Sequence, residues 1–344
     1  MTGKKTTIID VARRSGVSTA TVSRVLNGGY PVSQALRERV LEAVRELHYT
    51  PNQLGKSLKT RRSGDLGVIV PNMSNPYYAM LLGGIYDVAV REGYQVILCN
   101  AYRNPELEAR SLRGLLSRQV DGLLLASINP DRSALGDALR HRCPVVAMDQ
   151  TVPGRCLQVH FDSHRAGYIA TEHLALHGHR RIGFIGAPLD RSSRREMLEG
   201  YRDCLRVHDL ECRKEDVMLP DREEEREQVY ELINGAQCAR VFAGMPERPT
   251  GYVCVNDLTA LGAMRAFADS GLQVPDDVSV VGCDNIPYCT IASPALTSVE
   301  TRAGEMGAIA VRLLLERIEH PEAALRSVTL SPALIARDSV GRAR

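Results

Sequence analysis

The feature that most constrains this chain is an alternation of short apolar runs with stretches of helical periodicity. The runs LGVIVP (66–71), YQVILCN (94–100), DGLLLAS (121–127) and PVVAMDQ (144–150) have strand length. Helices are expected between them at 76–92, 105–118 and 131–142. A second set comes later, RRIGFIGA (180–187), GYVCVND (251–257) and DVSVVGCDN (277–285), with helices near 163–177, 194–207, 224–234 and 258–271. Runs this continuously apolar suit strands covered on both faces. Alternation at this spacing makes βαβ units, so the expected body is α/β, two doubly wound parallel sheets in series.

A different pattern precedes the first strand. Residues 7–27, TIIDVARRSGVSTATVSRVLN, read as two short helices about a tight turn. Asp10 sits in the first turn, where a carboxylate suits the positive end of the helix dipole. Ile8, Val11 and Ala12 repeat at helical spacing, and Gly16 breaks the run where a turn needs positive φ. Ser18 is placed to cap the second helix. On that helix Thr19, Ala20, Ser23 and Arg24 share one side, and Thr21, Val22 and Val25 the other. The first side offers hydroxyls and a guanidinium, which suits base edges in a major groove. A surface helical hairpin has the same local pattern, so another property must decide.

Charge supplies it. The 344-residue chain has a formal net charge of only +2, yet residues 1–62 hold 12 Lys/Arg against 4 Asp/Glu and the rest holds 31 against 37. A basic head on a mildly acidic body suits a head that meets phosphate. No run of about 18 apolar residues occurs, and the polar start with Lys4 and Lys5 lacks the apolar segment of a secretory signal, so a cytoplasmic protein without a membrane partner is expected. The nine cysteines are scattered without a C-x-x-C and read as reduced thiols. No cofactor or metal is expected, and His177-x-His179 reads as a polar turn.

A third helix lies in QALRERVLEAVRELHY. Ser33 stands at its cap, and Leu36, Val40, Ala43, Val44 and Leu47 form an apolar stripe that closes a three-helix core. Tyr49-Thr50-Pro51-Asn52 ends it, because a residue before proline avoids the α region. Residues 53–59, QLGKSLK, suffice for about two helical turns, too few to be stable alone. They read as a hinge that folds on DNA.

In order and spacing, DVA…GVS…TVSRVLN and YTPN…SLK resemble the head of LacI/GalR-family transcription regulators. GHRRIGFIG, EGY, NDLTALGAMRA, VPDDVSVVGCDN and PALTSV extend the resemblance over nearly the whole chain. It implies an all-α helix-turn-helix head (1–50), a hinge helix and linker (51–64), and an α/β two-lobed type I periplasmic-binding-protein-like body (65–344). Lobe one would span about 65–162 and 295–319, and lobe two about 163–292 and 328–344. The resemblance places Thr19, Ala20 and Arg24 at base-reading positions and Thr7, Ser18, Ser23, Asn27 and Lys59 among the DNA contacts. Leu58 takes the place of a leucine that wedges into the minor groove. Gly55-Lys56 depart from the family's usual Ala-Arg; glycine costs about 1 kcal/mol of helix propensity, and lysine makes no bidentate contact.

Candidate effector groups stand where strands end: Tyr77 as a stacking face, and Asp149, Arg191, Ser193, Arg222, Asn256 and Asp284 as hydrogen-bonding groups. Two readings of several remain open. Asp149 and Asp284 can equally cap the helix or loop that each precedes; Asn256-Asp257 can cap the helix at Leu258, with Asp257 the better placed; Tyr78 reads as core. Sugar-responsive members of the family often carry arginine where this chain has Met197, whereas Arg191 is placed as in purine-responsive ones. The aromatic that those carry near 220–222 is missing. Arg191, Arg194, Arg195 and Arg222 suit an acidic ligand, so sugars, sugar acids, phosphosugars and purine-like molecules all stay open.

The expected function is a ligand-responsive repressor, a dimer or tetramer on a near-palindromic operator. The rival is a sugar-binding protein of the same two-lobed fold with no DNA role. An enzyme is not expected: no G-x-S-x-G, H-E-x-x-H, P-loop or G-x-G-x-x-G stands in the required context.

Overall fold

The computed structural model describes residues 6–27, 32–49, 62–126, 133–149, 151, 156–220 and 230–343. The chain divides into two compact units, Met1–Ser63 and Gly64–Arg344.

The first unit is helical, with α1 at Ile8–Ser15, α2 at Thr19–Asn27 and α3 at Gln34–Glu46. The Asp10 carboxylate accepts from both the backbone N–H and the hydroxyl of Thr7, at 2.9 and 2.7 Å, which closes the first turn of α1. Gly16, at φ 65°, ends α1 in the left-handed conformation that the turn requires. Arg39 of α3 reaches back to the Ser15 carbonyl at 2.6 Å and ties the third helix to that turn. Val11, Ala12, Val22, Val25, Val40 and Ala43 form the core, two residues from each helix. No pair of these helices alone buries all six.

The second unit begins with β1 (Asp65–Val70), α4 (Pro76–Arg91), β2 (Gln95–Asn100), α5 (Pro105–Ser117), β3 (Gly122–Leu125), α6 (Ser133–Arg140), β4 (Val145–Met148) and β5 (Leu157–Phe161). It crosses to α7 (Ser163–Leu176), β6 (Ile182–Ile185), α8 (Ser192–Val207), β7 (Val217–Met218), α9 (Tyr230–Ala243), β8 (Gly251–Cys254), α10 (Asp257–Asp269), β9 (Ser279–Cys283), α11 (Tyr288–Ile291) and β10 (Thr297–Glu300). It ends with α12 (Ala303–Glu319), β11 (Ser327–Leu330) and β12 (Ala333–Ile335). The sheet orders are β11-β5-β4-β3-β1-β2 and β12-β10-β9-β8-β6-β7. Every pairing is parallel except β12 with β10. Two doubly wound lobes result, as the alternation predicts.

The late crossings differ from the expected ones. β10 pairs with β9, Thr297 opposite Val281, so 297–300 stays in the second lobe; only α12 returns to the first, against α4. β11 pairs with β5, Val328 opposite Val159, and the chain passes to the second lobe only after Leu330. The assignment of 295–319 wholly to lobe one and 328–344 wholly to lobe two is corrected accordingly. A four-residue strand carries no mark of which sheet it will join, because its partners are remote in sequence. The strand at 157–161 is likewise not expected from the sequence, and the helix expected at 224–234 runs to Ala243 in its described part. Asn234-Gly235 is a turn signal locally. Packing overrides it: an added Cβ at Gly235 would lie 2.0 Å from the Thr259 carbonyl, so this helix is pressed against α10.

Candidate functional site

In the head, α2 turns Val22 and Val25 inward and leaves Thr19, Ala20 and Arg24 exposed, with Ser23 and Thr21 half-buried. Sequence periodicity places these faces in the same way. Ser18 does cap the helix: its oxygen accepts from the Thr21 N–H at 3.1 Å and lies 2.9 Å from the Thr21 hydroxyl. The Thr7 hydroxyl is spent on Asp10. Asn27 ends α2. Its side chain, the hinge with Leu58 and Lys59, and Arg222 lie outside the described residues.

In the body, the strand ends of the two lobes face each other across a cleft. From lobe one come Asn75, Tyr77, Tyr78, Arg103 and Asp149; from lobe two come Arg191, Ser193, Arg194, Met197, Tyr230, Glu231, Asn256, Thr259 and Asp284. Asn75 caps α4 by accepting from the Tyr77 N–H at 3.0 Å, which fixes both tyrosines at the mouth of that helix. Tyr77 packs edge-to-face on Tyr78, centroids 5.1 Å apart, and points its hydroxyl at the Met306 sulfur, 3.8 Å away. Tyr78 is buried as expected of a core residue, yet it also forms the cleft wall and accepts a hydrogen bond from Arg191 at 3.4 Å.

Asp149 reaches across the cleft. Its carboxylate takes a 2.5 Å hydrogen bond from the Arg191 guanidinium across the lobes, with both side chains more than nine-tenths buried. Asn256, not Asp257, caps α10, accepting from the Thr259 N–H at 2.9 Å. Asp257 is fully buried and accepts from the Ser298 hydroxyl at 2.5 Å and the Ile286 N–H at 2.8 Å, tying α10 to β10 and to the loop after β9. Burial raises the Asp257 carboxyl to about 6.

No described residue donates a hydrogen bond to the Asp284 carboxyl. Desolvation, then the charges of Asp257, Asp149 and Glu231, push it well above the usual carboxylate range, with Arg191 opposing. This acid favours its neutral form, in which one group both donates and accepts.

Two cleft residues carry no sequence signal as site residues. Arg103 of lobe one and Glu231 of lobe two form a second buried ion pair across the cleft, and Asn75 donates to the same Glu231 oxygen at 3.2 Å. The Arg103 guanidinium also lies over the Tyr230 ring, 5.7 Å from its centroid. The other Glu231 oxygen and the Thr259 hydroxyl are buried without hydrogen-bond partners among the described residues. Of the remaining arginines, Arg194 bonds Asp190 and the Pro188 carbonyl, and the exposed Arg195 bonds the Leu189 carbonyl. The cleft encloses about 80 Å³.

A helix-turn-helix head joined to a two-lobed body with a polar cleft at its strand ends defines a class: DNA-binding regulators with a ligand-binding body. Comparison with known proteins agrees at both ends. Residues 7–52 match the model of bacterial regulatory proteins, lacI family, and 171–340 that of the periplasmic binding protein-like domain. The chain is 32% identical over 337 residues to the HTH-type transcriptional repressor PurR of Mannheimia succiniciproducens, and 34% identical to that of Pasteurella multocida; each match spans 97% of this chain and 98% of the relative. Among solved structures, the lac repressor dimer bound to operator and an anti-inducer superposes with a TM-score of 0.86 at 27% identity, covering 98% of this chain and all of that one. The transcriptional regulator CelR–cellobiose complex gives 0.73 at 30% identity, covering 97% of this chain and all of that one. The chain belongs to the lacI family of bacterial regulatory proteins. It is a ligand-responsive DNA-binding transcriptional regulator, not an enzyme. Among the described residues, no helix is long and apolar enough to cross a membrane.

Proposed function

We propose that this protein is a cytoplasmic repressor that binds a near-palindromic operator as a homodimer, Thr19, Ala20 and Arg24 reading bases and Leu58 wedging into the central minor groove. Its effector enters the interlobe cleft and is a neutral hydrogen-bonding molecule, a sugar or a purine-like base, rather than a sugar acid or phosphosugar. The observation that carries this choice is the commitment of the cleft arginines: Arg191 to Asp149, Arg103 to Glu231 and Arg194 to Asp190, with the Asp284 carboxyl left over. An anionic ligand would compete with Asp149, Glu231 and Asp190 for guanidiniums that they already neutralise. A neutral ligand with hydroxyl or N–H groups meets Asp284, Ser193 and the buried Glu231 and Thr259 oxygens directly. The structurally similar regulator CelR is known in complex with cellobiose, a neutral sugar.

A thermal-shift panel of neutral sugars, purine bases, sugar acids and phosphosugars tests the choice, since a ligand that binds only the folded state raises its apparent stability. Stabilisation confined to the charged members would overturn it. Mobility shift on operator DNA with each stabilising compound then shows whether it releases or strengthens DNA binding.

A further inference from the structure

We infer that Arg103 and Glu231 form a latch between the two lobes, which any effector must break to enter the cleft. The pair joins side chains 128 residues apart, one from each lobe, and they are 7% and 9% exposed. Three further contacts converge there. Asn75 of lobe one donates to Glu231, the Tyr230 ring lies under the Arg103 guanidinium, and the Arg191–Asp149 pair spans the same cleft. An ion pair within one lobe would leave the cleft indifferent to its presence; this one exists only while the lobes are together.

The space left over points the same way. About 80 Å³ is well below the ~300 Å³ or more of a typical small-molecule site. The guanidinium of Arg103 therefore acts as an internal competitor, occupying the carboxylate that a ligand's hydroxyl or N–H would otherwise meet. The second Glu231 oxygen, buried and without a partner among the described residues, is the foothold from which an incoming donor displaces it. Opening exposes both charges to water, which offsets much of the cost of separating them. The latch works in the same way whichever effector the cleft accepts.

The test needs no effector. Small-angle scattering and amide exchange are measured on the full-length protein, on Arg103→Ala, on Glu231→Gln and on the charge-swapped double variant Arg103→Glu/Glu231→Arg. Each single variant is expected to enlarge the radius of gyration and to speed exchange in the cleft segments 75–78 and 284–286 by about a hundredfold, the scale of losing one partner of a buried pair. Exchange in the β3 and β8 cores should stay unchanged, which separates lobe opening from unfolding, and the swap should restore closure at least in part. Cleft exchange and scattering identical to the unaltered protein in both single variants would overturn the latch. So would loss of protection spread evenly through both sheets, which marks a merely structural pair.

Discussion

Asp284 and Asp149 sit at φ 113° and 59°, in a region that L-residues with side chains avoid, and both face the cleft. Such strain costs on the order of 1–3 kcal/mol and persists where the surroundings impose it. Asp284→Gly should therefore raise the thermal midpoint while abolishing the effector response; a lower midpoint would show that the carboxyl stabilises the fold. Arg24 presents the opposite case, an exposed side chain on the outer face of α2. Arg24→Ala should cost about 1–3 kcal/mol on the cognate operator and relax discrimination at one base pair. An equal loss on random DNA would make it a phosphate contact. His173 is held down to about 4 by burial, then by the neighbouring His177 and His179. Its folded pKa lies below the unfolded value of about 6.5, so the unfolded chain takes up the proton first and stability falls as pH drops from about 6.5 towards 4. His173→Gln should flatten that part of the melting-temperature profile and leave the profile above pH 7 alone.

At the scale of elements, packing rather than propensity decides where helices meet. An added Cβ on Gly84 of α4 would stand 1.8 Å from the Gly304 carbonyl of α12, so this crossing requires glycine. Gly84→Val should destabilise the body by about 3 kcal/mol or more, read as a shift in denaturant midpoint, because the obstructing atom is backbone and cannot move aside. The helix-turn-helix pattern is legible because its signals are local: Gly16 must end α1, Ser18 must cap α2, and Val22 and Val25 recur on one face. That Asn256 rather than Asp257 caps α10 is not legible. Both residue types cap helices, and only the position of Ser298 and Ile286 behind α10 makes Asp257 the buried one.

For the whole molecule, regulation requires coupling between cleft and operator, and coupling is reciprocal. A compound that changes operator affinity by a given factor must bind the operator-loaded protein with its own affinity changed by that factor, which paired titrations of free and DNA-bound protein can measure. A compound that binds both forms equally must leave operator affinity unchanged, whatever site it occupies. The basic head also sets a salt dependence. Operator affinity should fall linearly with the logarithm of salt concentration, by roughly 10³-fold or more between 50 and 200 mM if six or more phosphates are contacted.

The sequence by itself determined the two-part plan, the faces of the recognition helix and the parallel lobes, since each rests on periodicity, caps and charge that act over a few residues. It also named Tyr77, Asp149, Arg191, Ser193, Asn256 and Asp284 as strand-end groups, and the fold brings all six to one cleft. Tertiary structure alone decided the partners. That β10 stays with β9, that Asp149 answers Arg191, and that Arg103 finds Glu231 across the lobes all depend on contacts between residues far apart in the chain. A charged residue in a sequence shows what it can pair with; only the folded cleft, where these side chains are buried and each charge must find a partner, shows which pair forms.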